Sequence, residues 1–153
     1  MKNKNLPKRF LSRLIAVQSF YQYEFYQKKK PIDILSKNLV DNYFLVESEE
    51  SSSYADKIDS DLLESLLSGF MLAQDKIDDE ITPFLKGEWK IEDLADLILP
   101  ILRLATFELK FMKDVPTKVV ISEYVDLAAC FYDAKQVTFV NSILQNIANK
   151  NRV

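Results

Sequence analysis

From Leu97 to Met112 the chain reads LILPILRLATFELKFM, and this stretch decides the fold. Apolar residues fall on every side of its helical projection, and a helix with no polar face has to be surrounded by other helices. It therefore reads as the central core helix of an all-α protein. Pro100 has no N–H and a preset φ, so it suits the first turn of a helix and would break its interior, which puts the start near Leu99 or Pro100. Arg103 and Glu108 interrupt the apolar run. A buried charge is costly unless paired and hydrogen-bonded, so both are expected at an edge of the core. Their spacing is poor for pairing along one helix, which points to partners on neighbouring helices.

Downstream, Lys113-Asp114-Val115-Pro116 is a turn, and Thr117 suits the cap of a helix carrying Val120, Ile121, Tyr124, Val125, Ala128 and Phe131 on one face. Tyr132 to Gln136 reads as a tight polar connection, and Phe139, Val140, Ile143, Leu144 and Ile147 mark a last helix. Upstream, Leu63, Leu66, Leu67, Phe70, Ile77, Ile81 and Leu85 keep one apolar stripe along a long helix. Pro83 should kink or end it near Thr82, and Gly87 should close the segment. Trp89 to Ala95 reads as a short helix or turn, and Glu47 to Asp61, acidic with Ser51-Ser52-Ser53 at its centre, as a mobile surface loop. Ile32, Leu35, Leu39 and Phe44 give a short helix. Phe10, Leu14, Val17 and Tyr21, with Leu11 and Ile15 beside them, make Lys8 to about Gln27 amphipathic. Lys28-Lys29-Lys30-Pro31 then closes that helix with cations and a breaker. No stretch alternates with period two, so the pattern predicts roughly seven helices and no sheet.

The chain has 153 residues, enough for one domain, or two small subdomains sharing a core, that needs no staple. Its 28% charged and 48% apolar content is that of a soluble globular protein, and no apolar run approaches the ~18 residues of a membrane helix. Phe10 to Val17 is interrupted by Arg13 and followed by no small-residue cleavage site, so no secretory signal is read and the cytoplasm is the expected compartment. There is no histidine, and the one cysteine, Cys130, falls on an apolar face. Gly69 and Gly87 form neither a P-loop nor a dinucleotide turn. Without a nucleophile–base pair or a ligand cluster, the expectation is a protein that is not an enzyme and holds no cofactor or metal.

Charge is uneven. Met1 to Tyr23 contains no acidic residue but Lys2, Lys4, Lys8, Arg9 and Arg13, in a chain of net charge −3. Salt screens distant acids over about 8 Å, so a local basic patch still attracts phosphate. A helix N-terminus already favours anions, and Lys8, Arg9 and Arg13 there would compound the effect. A solvated, frayed terminus is the alternative reading.

Four segments, in order, resemble the NusB family of bacterial transcription antitermination factors. They are Arg13 leading to AVQSFY at 16–21, ILRLATFEL at 101–109, VPTKVVISE at 115–123, and FVN at 139–141. The resemblance covers nearly the whole chain. It implies an all-α fold of two packed helical subdomains and no enzymatic activity. It further implies binding of boxA leader RNA together with NusE, the small-subunit ribosomal protein, within the RNA polymerase elongation complex on ribosomal RNA operons. Family RNA contacts map to the basic start, Lys8, Arg9 and Arg13, and to Lys135, Phe139 and Asn141. Tyr21 matches a position implied to meet NusE. Some relatives dimerise, so a homodimer is among the assemblies implied, and no membrane is. Departures are visible: Phe10 and Leu11 follow Arg9 where further arginines are usual, Tyr132, Gln136 and Ser142 stand where glycine, serine and glycine are favoured, and Ile98 and Leu99 replace residues often charged.

The residue chemistry fits single-stranded RNA, which is held by cations on phosphate, aromatic stacking and amide contacts to base edges. Phe139 could equally be core and Asn141 a structural cap. The rival functions are a NusB-like domain of the kind that precedes ribosomal RNA cytosine methyltransferases, and a helical protein-interaction module without RNA. The methyltransferases add a glycine-rich cofactor turn and active cysteines, neither of which occurs in these residues. The second rival draws on the acidic stretch Asp75 to Glu80.

Overall fold

A computed structural model describes residues 6–45, 57–87, 90–94 and 96–152. Lys2, Lys4, Trp89, Ala95, most of the serine-bearing acidic loop and the side chain of Phe44 lie outside the described residues. Among those described there are six α-helices and no strand: α1 (Lys8–Phe25), α2 (Ile32–Leu45), α3 (Ser60–Ile81), α4 (Ile98–Phe111), α5 (Thr117–Ala129) and α6 (Ala134–Asn151). Two 3₁₀ turns, Thr82–Phe84 and Ile91–Asp93, take the place of a seventh helix. The chain divides into two compact units, Met1–Leu67 and Ser68–Val153, with the boundary inside α3.

In the first unit α1 packs on α2. Every residue of α1 from Phe10 to Val17 is buried, polar ones included, so this half of the helix has no outward face. Ser12 can be buried because its hydroxyl donates to the Lys8 carbonyl at 2.8 Å and accepts the Asp59 N–H at 2.8 Å. Asp59 in turn caps α3, its carboxylate accepting the Leu62 N–H at 3.0 Å. The end of the region read as a mobile loop is thus ordered, with Ile58 buried beside this cap. The Lys28–Lys30 run lies beyond α1 rather than in its last turn. There Gln27 and Lys28 take left-handed φ of 55° and 63°, and the Lys28 N–H reaches the Tyr23 carbonyl at 2.8 Å.

In the second unit α4, α5 and α6 pack on one another, and every residue of α4 from Pro100 to Leu109 is buried. Pro100 lies in the first turn, as its missing N–H requires. Arg103 pairs with Asp78 of α3 through Nε and Nη2, both at 2.8 Å. Glu108 is not at the core's edge but fully buried, which is tolerated because the Tyr124 hydroxyl of α5 donates to it at 2.5 Å. Glu80, also buried, accepts Lys150 at 2.7 Å and Lys110 at 3.1 Å, joining α3, α4 and α6. The Lys150 ammonium above all, with Lys110 and Asn151, outweighs burial and lowers its pKa to about 2.

Three boundaries differ from expectation. Thr117 is the first residue of α5 rather than its cap, and its hydroxyl instead accepts Arg152 Nη1 at 3.2 Å. Phe131 lies past the end of α5 and is exposed. The last helix starts at Ala134, inside the stretch read as a connection, because the Asp133 carboxylate accepts the Lys135 and Gln136 N–H groups and caps it.

Candidate nucleic-acid interface

In the first unit, Lys8 and Arg9 are exposed in the first turn of α1, whose N-cap is Pro7 and which no side chain caps. The helix end therefore keeps its unsatisfied N–H character beside two cations. Arg9 is shared: its Nε lies 3.6 Å from Asp59 Oδ2. Such an exposed pair is worth about 0–1 kcal/mol, so a phosphate can compete for the guanidinium. Arg13 does not join this patch. It is 1% exposed, a buried member of α1, because its position falls on the same inward side as Phe10 and Val17. At the other end of α1, Tyr21 is half-buried and stacks on Phe25, ring centroids 6.4 Å apart, while Phe25 itself is 67% exposed and meets Tyr26 edge-on at 5.2 Å. Lys30 covers the Tyr26 ring at 4.0 Å.

In the second unit, α6 carries Lys135, Phe139 and Asn141. Lys135 is exposed in the first turn, and Phe139, one turn later, is half-buried. Both line a cavity of about 610 Å³ bounded by the Thr82–Phe84 turn, the start of α4 and α6. Asn141 is exposed, not among the cavity's lining, and well inside the helix. It caps nothing at the start of α6, where Asp133 holds that role. Tyr132, where a glycine is favoured, accepts the Leu97 N–H at 2.9 Å through its hydroxyl, so the turn before α6 is tied to the start of α4. Ile98 is buried in the core and Leu99 half-buried.

Sequence reasoning did not place Asp59 beside Arg9, nor Lys86 and Gln136 on one cavity with Phe139. Asp59 lay in a stretch read as loop, and only the N-cap residue type before the apolar stripe of α3 could have signalled it. Lys86 lines the same cavity as Phe139, a juxtaposition across about fifty residues that leaves no local pattern, while Gln136 reaches it from one turn before Phe139 on the same helix. Among the described residues no group of three or more potential metal ligands occurs, and no helix is long and apolar enough to cross a membrane.

A model of the NusB family matches residues 11–149. The transcription antitermination protein NusB of Sphingopyxis alaskensis is 34% identical over 150 residues, covering 98% of this chain and 98% of its own length. That of Sinorhizobium fredii is 32% identical, covering 97% and 91%. Among solved structures, T. maritima NusB superposes with a TM-score of 0.76 at 26% identity, covering 96% of this chain and 94% of its own. A structure of the antitermination factors NusB and NusE in complex with double-stranded RNA superposes at 0.71 with 23% identity, covering 91% and 94%, and bears on fold alone. The relatives are named for a role in transcription and not for a catalysed reaction.

Proposed function

The chain belongs to the NusB family, and on that premise we propose that it is a transcription antitermination factor that binds boxA-type leader RNA together with NusE. In this reading the complex joins elongating RNA polymerase and favours processive transcription of ribosomal RNA operons. The observation that carries it is identity of 34% along 98% of both chains to a protein named for antitermination. Membership of a family one of whose proteins has been solved with NusE and RNA is what extends those partners to this chain. A cytoplasmic site of action accords with this role.

The exposed side chains divide the labour. Lys8 and Arg9 supply charge to phosphate, while Lys135, Phe139 and Asn141 supply a cation, a stacking ring and a base-edge amide. Arg13, buried, serves the framework of α1. The exposed Phe25 and its neighbour Tyr21 offer an aromatic surface to NusE. Fluorescence anisotropy with a boxA-like RNA and a scrambled control, each with and without NusE, tests the reading. Preferential binding of boxA, strengthened by NusE, is expected. Equal affinity for both RNAs in the presence of NusE would overturn it, and NusE binding without any RNA binding would favour the protein-interaction alternative.

A further inference from the structure

From Glu24 to Pro31 every residue is exposed, and this corner between α1 and α2 carries Lys28, Lys29 and Lys30. Cations placed there ordinarily help to close a helix by meeting its last carbonyls. Here those carbonyls are met by the backbone: Gln22 and Glu24 accept the N–H groups of Tyr26 and Gln27 at 2.9 Å, Tyr23 accepts that of Lys28 at 2.8 Å, and Tyr26 that of Lys29 at 3.1 Å. The left-handed Gln27 and Lys28 form this hook, which leaves the three ammonium groups no capping role. Lys28 has one carboxylate near it, Glu24 at 3.8 Å, and because both side chains are exposed the pair contributes little. The next acid along the chain, Asp33, accepts the Ile34 N–H at 3.0 Å. Lys30 is held over the Tyr26 ring at 4.0 Å, and Tyr26 meets the exposed Phe25 edge-on at 5.2 Å. Adjacent cations beside exposed rings are the combination that tracks a single-stranded nucleic acid.

We propose that the corner between α1 and α2 is a second RNA contact, in which Lys28, Lys29 and Lys30 take phosphates of one strand without reading its sequence and Tyr26 positions Lys30. The inference rests on the RNA-binding reading above and adds a contact at the opposite end of α1. Flexible ammonium groups act as point charges and suit a backbone that carries charge at every nucleotide, whereas planar recognition of carboxylates on a protein favours arginine. With 18 residues in α1 at about 1.5 Å each, the corner lies roughly 27 Å from the Lys8–Arg9 end. That exceeds the screening length of about 8 Å, so the two patches act independently. At about 3.4 Å per phosphate, a strand of roughly eight nucleotides reaches from one to the other.

The test is anisotropy of the full chain with single-stranded RNAs of about twenty nucleotides, boxA-like and scrambled, between about 50 and 200 mM salt. The triple variant Lys28→Gln, Lys29→Gln, Lys30→Gln should weaken both RNAs by the same factor and flatten the salt slope by about 2, roughly 0.7 for each of three phosphates. The advantage of the parent should accordingly shrink by roughly 18-fold across that fourfold range of salt. Arginine at the same three positions should keep the affinity and the slope, and circular dichroism checks that both variants remain folded. Lys76→Gln, Lys90→Gln and Lys118→Gln together, exposed elsewhere, change net charge equally and should leave the slope as it is. An equal loss in that control would show an effect of overall charge and overturn the corner. RNA binding that is unchanged in the Lys28–Lys30 glutamine variant would also overturn it while leaving the RNA-binding reading in place. Failure of the parent to bind either RNA would overturn both. A loss confined to the boxA-like RNA would refute a contact blind to sequence, and loss of NusE binding with RNA affinities unaltered would assign the lysines to the protein partner instead.

Discussion

Glu80 shows what a single side chain contributes here. Its carboxylate is held by Lys150 and Lys110, and its pKa falls to about 2. Because the folded value lies below the unfolded one, the stabilisation is complete above about pH 5 and is lost as pH falls toward 2. Glu80→Gln should therefore cost on the order of 2 kcal/mol at neutral pH in urea unfolding, and the gap to the parent should close near pH 2. A gap that is constant with pH would mean the lysines do not stabilise the charge. Arg152 plays a comparable part at the end of α4. Its Nη2 donates to the carbonyls of Glu108 at 3.1 Å and Met112 at 3.0 Å, its Nε to that of Leu109 at 3.0 Å, and its Nη1 to that of Val115. One guanidinium thus satisfies carbonyls that a helix end leaves open. Arg152→Lys should lose about 1–3 kcal/mol of stability, since an ammonium cannot reproduce the planar fork, and an unchanged melting temperature would refute the clamp. Neither role was legible in the sequence, because both partners lie far along the chain. Arg13 makes the same point at the candidate site: a run of basic residues shows charge, not which member turns inward.

At the scale of elements, the apolar rhythm and the prolines carried most of the information. The stripe of α3 ends at Ile81, and Pro83 follows in a 3₁₀ turn, while Pro100 and Pro116 mark starts, as their geometry demands. Where boundaries moved, a cap decided: Asp133 opens α6 early and Asp59 orders the entry to α3. Leu104, fully buried in α4, should cost about 2–5 kcal/mol as Leu104→Ala through the cavity left behind, and a loss below about 0.5 kcal/mol in chemical denaturation would contradict its place in the core. Gly69 of α3 is required for a reason the sequence conceals. A Cβ there would stand 2.2 Å from the Phe107 ring of α4, so Gly69→Ala should destabilise despite the higher helix propensity of alanine. The double variant Gly69→Ala with Phe107→Leu should recover part of the loss, and a stabilising single variant would contradict the close approach.

For the whole molecule, the family was legible because its four segments are chiefly core helix, and core residues recur where packing demands them. The candidate RNA contacts were legible by type but not by exposure: Lys8, Arg9, Lys135 and Asn141 stand in solvent, Phe139 is half-buried on a cavity, and Arg13 is inside. Charge and base-edge contacts should separate experimentally. Replacing Lys8 and Arg9 together by Ala should weaken boxA and scrambled RNA alike and reduce the salt slope by roughly 0.7 for each phosphate of a single strand that is no longer neutralised. Asn141→Ala should lower boxA affinity by about 1–3 kcal/mol with little change for the control, and equal losses on both would move Asn141 to the backbone. The most direct test of the central claim is terminator read-through by RNA polymerase in a purified transcription system containing NusE and this protein, with a boxA leader or its scrambled counterpart upstream. Antitermination predicts that read-through rises when the protein is added and that the rise depends on boxA; the same read-through with and without the protein on the boxA template would contradict it.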